Sequence, residues 1–460
     1  MNKINLGIIN YNKKYKNFLN FISQKNSRYN IVFNKKLNLE KDIISLKEDV
    51  LKNEVKILVI CDHTALYNLN KDINFFIKKK IKIVRASTNK DVKEHGFIIE
   101  KPFRDFSFEE IFFRNTLKIE NKKIEKILNN KKILITGGAG SIGGALVKKI
   151  LDFSIKEIYV LDNSEYNVFK FKVLNENYKN FNKVKFIISN IENNKNLFSN
   201  ISKLRPDIIF HTAALKHVGF LENNIKQGIY TNIIGTKNIL KCSVENKVKY
   251  FIHVSTDKAA DPKNILGMTK LISEYVCHNF MNKKMKIGIV RFGNVFNSNG
   301  SVAEIFKIKM LNAQKISISH PKVERYFMSE REAANLIISA FKILNISKIK
   351  ENCRLFICDM GKPIKILELA KKMIYLSGRT PSNFLKRKFY GLGSIEKITE
   401  KLVSRNEKIK DKIEKSNILE LDRIKNKVNF KFVDQILNMN SSNKTIKKEL
   451  YKVTKSLISR

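Results

Sequence analysis

Residues 255–258, Ser-Thr-Asp-Lys, place hydroxyl, carboxylate and amine side chains in immediate succession. Between them such groups can hydrogen-bond a substrate oxygen, release a proton and take one up, the components of acid–base catalysis. They follow an apolar run, Tyr250–Val254, that reads as a buried strand. The segment onward to Pro262 lacks helical periodicity, so a catalytic cluster is favoured over a helix cap. A second cluster is Gly137, Gly140 and Gly143, in the spacing G-x-x-G-x-x-G, directly after the apolar run Ile133–Ile135. Gly138 makes the spacing G-x-G-x-x-G fit as well. One glycine permits a tight turn, one lets backbone N–H groups approach a pyrophosphate, and one lets the next helix pack against the strand. Ser141 and Ile142, between the last two glycines, join them as cofactor-binding candidates, because the helix start presents free amides and a positive dipole end. The next apolar strand, Glu157–Leu161, ends at Asp162, nineteen positions after Gly143. A carboxylate there can accept hydrogen bonds from an adenosine ribose and would repel a 2′-phosphate, so NAD is expected rather than NADP.

The elements that must position these residues alternate strand and helix, which predicts an α/β fold with a doubly wound parallel sheet. A third strand, Val184–Ile188, leads to Asn190, placed to meet the adenine edge. The strand Asp207–Phe210 opens into HTAALKHVGFLE, where Ala213 and Ala214 let the backbone pass close beneath a cofactor. Lys216 and His217 follow, in a segment that composition alone reads equally well as a solvated loop. Asn232, with Lys216 a further cofactor-binding candidate, lies on the predicted helix Gly228–Val244, and Lys270 on a helix from Gly267 to about Met281. The strand Ile287–Phe292 precedes GNVFNSNGS, containing Asn294 and Ser301, side chains suited to sugar and phosphate hydrogen bonds. Arg325 is a natural bidentate partner for phosphate. Four domain segments are expected: a small α/β unit without a phosphate loop (1–100), a polar linker (101–131), the dinucleotide domain with the acid–base cluster (132–295), and a mostly substrate-binding part ending in a basic helical tail (296–460). In the first unit the turn Asn10-Tyr11-Asn12 has no glycine, so a docking, assembly or regulatory role is expected of it.

The chain of 460 residues is 43% hydrophobic, enough for a large core. No run approaches the ~18–20 apolar residues of a membrane span, and the N-terminus lacks a signal-peptide core, so no integral membrane segment and a cytoplasmic location are expected. Five cysteines show neither C-x-x-C spacing nor zinc-like histidine partners, so they are expected as buried thiols and no metal site is predicted. The net charge of +45 is spread along the whole chain without an aromatic-interleaved stripe, which argues against a nucleic-acid partner and is compatible with a small anionic ligand.

From about Phe106 onward the chain resembles the extended short-chain dehydrogenase/reductases, and within them the CapD-like polysaccharide-biosynthesis proteins that act as UDP-N-acetylglucosamine 4,6-dehydratases. The matching segments are TGGAGSIG, AALKHVGFLE, STDKAADPKNILGMTK, RFGNVFNSNGSV, VERYFMS and DMGKPIKILELAKKM. The resemblance implies an N-terminal degenerate Rossmann-like domain, here without membrane helices, NAD as cofactor, a UDP-sugar substrate and a homo-oligomer. It implies oxidation at sugar C4, loss of the C5 proton and the C6 hydroxyl as water, then reduction at C6. Carried onto this sequence, Thr256 would hydrogen-bond the C4 oxygen, Asp257 would be the C6 acid and Lys258 the C5 base. Lys270 would bind the nicotinamide ribose, and Lys216, His217, Glu222, Asn294, Ser301, Arg325 and Glu396 would contact substrate. The sequence departs from the pattern at Leu266, where ordinary members carry the tyrosine of Tyr-x-x-x-Lys. It departs again at Gly393, where a diphosphate-binding arginine is expected, and at Asn190, usually aspartate. Leu266 argues against the alternative of a tyrosine-dependent nucleotide-sugar 4-epimerase or reductase. The missing arginine motivates a further alternative, a catalytically silent binding scaffold.

Overall fold

The computed structural model describes residues 3–24, 27–37, 42–62, 69, 72–87, 103–104, 111, 121–281, 284–346, 351–377, 379, 381–386, 388–413 and 418–459. The chain divides into two compact units. One contains residues 1–115, 302–322 and 365–391; the other contains 116–301, 323–364 and 392–460.

In the first unit, strands β1 (Ile4–Ile9), β2 (Tyr29–Lys35), β3 (Ile57–Ile60) and β4 (Lys82–Ala86) are parallel, in the order β2-β1-β3-β4, and β5 (Phe103–Arg104) pairs antiparallel with β4. Leu6, Ile8, Val59 and Val84 meet Phe18 and Ile22 of the helix Lys16–Ile22 in its core, as expected when helices cover the faces of a parallel sheet. The turn after β1 closes on itself. Asn10, at φ +54°, accepts the Leu37 N–H at 2.7 Å and donates to Leu37 O and Asp62. Its amide thus ties two loops together, and no glycine-lined cradle opens there.

The second unit is built on nine strands: β6 (Lys132–Thr136), β7 (Glu157–Asp162), β8 (Val184–Ile188), β9 (Ile208–His211), β10 (Tyr250–Thr256), β11 (Lys286–Phe292), β12 (Cys353–Cys358), β13 (Glu407–Ile413) and β14 (Ile418–Arg423). Their order is β13-β14-β12-β11-β10-β9-β6-β7-β8. All pairings from β8 to β12 are parallel, and β14 and β13 are added antiparallel at the edge. The chain leaves β6 toward β7 and β8, then returns to build β9 onward on the other side. The strand order therefore reverses between β6 and β9, the point at which an open parallel sheet leaves a crevice for ligand. No helix among the described residues is long and apolar enough to cross a membrane.

Residues 296–460, expected as mostly a substrate-binding part, are divided. Strands β12 to β14 extend the dinucleotide sheet, because Cys353–Cys358 is buried along its length and continues the ladder of β11. The tail forms two helices, Phe430–Asn438 and Asn443–Ile458. Ile446, Leu450, Val453 and Leu457 recur on one face of the second and enter the same core as Leu271 and Tyr275 of the helix Ile265–Asn279. Covered this way, Ile265–Asn279 is buried from Ile265 to His278, including Lys270 and Glu274. Only 302–322 and 365–391 fall in the first unit. Within the expected linker, a helix forms over Asn121–Leu128.

Candidate active site

The glycines after β6 are mechanically required. Gly137 has φ +64°, and a Cβ on it would lie 2.8 Å from the backbone of Ala213, at the mouth of β9. A Cβ on Gly143 would lie 2.2 Å from Gly137 O. Gly140 is the N-cap of the helix Ser141–Ile150 and has no side chain to cap it, which leaves the first-turn amides to an external anion. Eleven predicted residues line one cavity of about 320 Å³: Gly137, Gly140, Ser141, Ile142, Gly143, Asp162, Asn190, Ala213, Ala214, Lys216 and His217. Asp162 is 7% exposed. Its carboxylate accepts the Ala139 N–H at 3.2 Å and the Ser164 N–H at 3.1 Å, so it braces the glycine loop. Burial raises its pKa, against the pull of these backbone donors. Asn190 accepts the Glu192 N–H at 2.9 Å through the oxygen expected to face the adenine.

β10 delivers the acid–base trio to the same carboxyl edge of the sheet. Thr256, its last residue, does cap a turn: the hydroxyl accepts the Lys258 N–H at 3.4 Å above the single turn Asp257–Ala259. It also donates to Asp257 Oδ1 at 2.9 Å, and Lys258 Nζ reaches the same oxygen at 3.1 Å. Asp257 is fully buried and its other oxygen, Oδ2, has no hydrogen-bond partner. Lys258 Nζ also donates to Asn294 Oδ1 at 3.2 Å. Asn294 begins the loop whose Ser298 and Asn299 line the cavity, where Lys216 Nζ donates to Ser298 Oγ at 3.2 Å and Asn299 N–H to Ser141 Oγ at 2.9 Å. One short loop therefore links trio, cavity and glycine helix.

Several expected contacts are spent elsewhere. Asn232 is not among the cavity-lining residues; at 1% exposure it sits on a π-helical turn, Tyr230–Ile234, within the predicted helix. It holds both backbone groups of Leu215, at 2.9 and 3.1 Å, and donates to Thr269 Oγ1. It positions the Ala213–Lys216 loop from behind. Glu222 accepts the Ile265 N–H at 2.8 Å and pairs with Lys447, so it caps the helix carrying Lys270. Arg325 and Glu396 are brought together, Nη2 to Oε1 at 3.7 Å, while Arg325 also donates to the carbonyls of Glu324 and Ile398. Ser301 donates its backbone N–H to Ser298 O at 2.8 Å and lies outside the cavity lining. Gly393 has open space where a Cβ would stand.

Lys270 is likewise absent from the cavity lining. It is 5% exposed, donates to Val254 O at 2.7 Å and lies 3.4 Å from His253 Nε2. Burial lowers the Lys270 pKa to about 8, against the opposing effect of Glu274 and Cys277. Leu266, one turn earlier, is 6% exposed and has no proton to share.

Sequence reasoning passed over Thr231, Ser298 and Asn299 of the cavity wall, although the last two stand in the quoted GNVFNSNGS segment. It also passed over Tyr326, beside Arg325. Burial and then the carboxylates of Glu324, Asp257 and Asp359 raise that phenol's pKa, which places it in the field of the acid–base trio. Lys397, next to Glu396, is buried against Asp261 and Glu400.

Residues 133–421 match the family described as polysaccharide biosynthesis protein. The capsular polysaccharide biosynthesis protein CapD of Staphylococcus aureus is 30% identical over 388 residues, 83% of this chain and 63% of that protein. The chain thus spans less than two thirds of that relative's length. A UDP-N-acetylglucosamine 4,6-dehydratase (inverting) of Campylobacter jejuni is 31% identical over 287 residues, 60% of this chain and 79% of that enzyme. Among solved structures, a dTDP-glucose 4,6-dehydratase double mutant, DesIV, of Streptomyces venezuelae with NAD bound has a TM-score of 0.51 at 19% identity, covering 59% of this chain and 88% of that one, a likeness of fold.

Proposed function

Because this chain belongs to the polysaccharide biosynthesis protein family, we propose that it is an NAD-dependent nucleotide-sugar 4,6-dehydratase acting on UDP-N-acetylglucosamine. The observation that carries this reading is the unpartnered Asp257 Oδ2, buried beside Thr256 and Lys258 at the carboxyl edge of the sheet. A buried carboxylate oxygen without a donor is costly unless something that donates is brought to it, and a sugar hydroxyl does so. The cavity fits a dinucleotide: a glycine cradle that a Cβ would fill, uncapped helix amides for the pyrophosphate and Asp162 for the ribose.

NAD, when bound, supplies the transient oxidation at sugar C4 and the later reduction at C6. Thr256 holds the C4 oxygen through its hydroxyl. The proton released from the C4 hydroxyl passes through Thr256 to the Asp257 carboxylate, which Thr256 already meets at 2.9 Å. Lys258 takes the C5 proton, made acidic by the neighbouring ketone, Asp257 gives the proton it received to the departing C6 oxygen, which leaves as water, and Lys258 returns its proton to C5 as C6 is reduced. Asn294, hydrogen-bonded to Lys258, keeps the amine oriented. The buried Leu266 leaves the tyrosine position without a proton, which supports dehydration over tyrosine-dependent epimerisation.

Incubation of the NAD-loaded protein with UDP-N-acetylglucosamine, read by mass spectrometry, tests this. Loss of one water is expected; unchanged mass with inverted C4 stereochemistry would make it an epimerase, and no turnover a binding scaffold. Asp257→Asn is expected to lower kcat by about a hundred- to ten-thousandfold while NAD still binds.

A further inference from the structure

Strand β10 carries a histidine that the chemistry above does not use. His253 is fully buried, in register with His211 of β9, and the two rings stack with centroids 5.3 Å apart. Hydrogen-bond arithmetic separates them. Thr236 donates its one hydroxyl proton to Asn232 O at 2.7 Å, so in the 3.0 Å contact with His211 the ring Nε2–H is the donor. His211 Nδ1 then accepts from Thr136 Oγ1 at 2.7 Å, and both nitrogens are satisfied.

His253 has no such closure. Ser273 donates to Lys270 O at 2.7 Å, so its oxygen receives an Nε2–H from His253 at 2.9 Å. That tautomer leaves Nδ1 bare, and Nδ1 has no partner. The opposite tautomer turns an Nε2 lone pair toward Lys270 Nζ at 3.4 Å. An ammonium is repelled by the first and attracted by the second, whereas a neutral amine suits the first.

We propose that His253 is a positioning residue for Lys270, changing tautomer so that a complementary ring edge meets the amine whether it is charged or neutral. Nε2 passes its proton to the neutral Lys270 amine 3.4 Å away while Nδ1 takes one from water admitted by local opening, so the ring's charge is constant and Lys270 alone gains or loses a net proton. The surrounding charges favour this. On its own helix, Glu274 and Cys277 stabilise the Lys270 ammonium. Burial first, then Lys270, His211 of β9 and Arg423 of β14, all disfavour a charged His253 ring, so it answers by tautomer and not by protonation. Arg291 of β11 is saturated by Glu274 and Glu407. Val254 of β10 offers only its carbonyl. Leu266, one turn before Lys270, offers no proton. The use of this pair in turnover rests on the dehydratase reading; its test does not.

The test is long-range ¹H–¹⁵N spectroscopy of the full-length protein with labelled histidine, over about pH 6.5–9.5. One ring is expected to exchange tautomer with a midpoint near the Lys270 pKa of about 8, while His211 keeps one tautomer. In Lys270→Met the exchange disappears. A single His253 tautomer throughout, or titration to imidazolium in this range, overturns the proposal. A second readout is the ¹³C-lysine midpoint of Lys270, identified by its absence in Lys270→Met. His253→Leu is expected to lower that midpoint by about one pH unit, and His253→Gln, which retains an acceptor, to restore it. Identical midpoints in all three proteins overturn the proposal. Failure to dehydrate UDP-N-acetylglucosamine would remove the functional reading and leave these spectra unaffected.

Discussion

At Gly143 a single methyl group would collide with the carbonyl of Gly137, 2.2 Å away, and backbone cannot yield as a side-chain tip can. Gly143→Ala is therefore expected to displace the glycine loop and weaken NAD binding by more than about tenfold, measured by calorimetry. Asp162 holds that loop through the Ala139 amide, and its own turn through the Ser164 amide, as well as facing the cavity. Asp162→Asn should lower NAD affinity about tenfold and narrow the preference over NADP, read by titrating both dinucleotides. These residues were legible in the sequence because their roles are local: glycine spacing, a strand end, a run of three polar side chains. Glu222 and Asn232 were not. Their partners, Lys447 for one and Leu215 with Thr269 for the other, are set by how distant segments pack. A polar residue beside a motif looks the same whether it faces ligand or protein.

The helix Ile265–Asn279 shows how elements transmit order to the site. Glu274, fully buried, accepts two hydrogen bonds from Arg291 at 2.7 Å each, one from Arg423 and one from Ser255, the neighbour of Thr256. Glu407 closes the network by taking Arg291 Nη1 at 2.7 Å. Burial alone would raise Glu274, but Arg291 and Arg423 outweigh it and hold the carboxyl at about 2. Glu274→Gln would leave Glu407 to neutralise both buried guanidinium groups, Arg291 and Arg423. It is expected to cost about 3–5 kcal/mol and to loosen β13 and β14, checked by denaturant unfolding and limited proteolysis. The sequence predicted the helix within two residues at either end. It gave no sign of the network, because an ion pair between strands has no period. The antiparallel edge was also missed: Glu407–Ile413 is mostly exposed and carries no buried-strand signature.

For the whole molecule, buried neutral histidines set the response to acid. Burial, then Lys270, hold His211 at about 3, against an ordinary value of 6.5. Between those values the unfolded chain binds the extra proton, so stability is full above about pH 6.5 and is lost as pH falls toward 3. His278, held at about 2 by burial and then Arg423, adds to the same limb. Urea midpoints should therefore decline below about pH 6.5, and His211→Asn should flatten that decline. Much of the chain's architecture was legible in its alternating apolar runs; the allocation of 302–322 and 365–391 to the first unit was not, since short segments bear no mark of the core they join. The packing of Asn443–Ile458 against Ile265–Asn279 has a consequence for biosynthesis. The lysine-bearing helix cannot acquire its apolar cover until residues as distant as Leu457 have cleared the ribosome. A nascent chain stalled before that point would hold a finished glycine loop beside an uncovered hydrophobic helix, a form suited to chaperone capture and unfit for turnover.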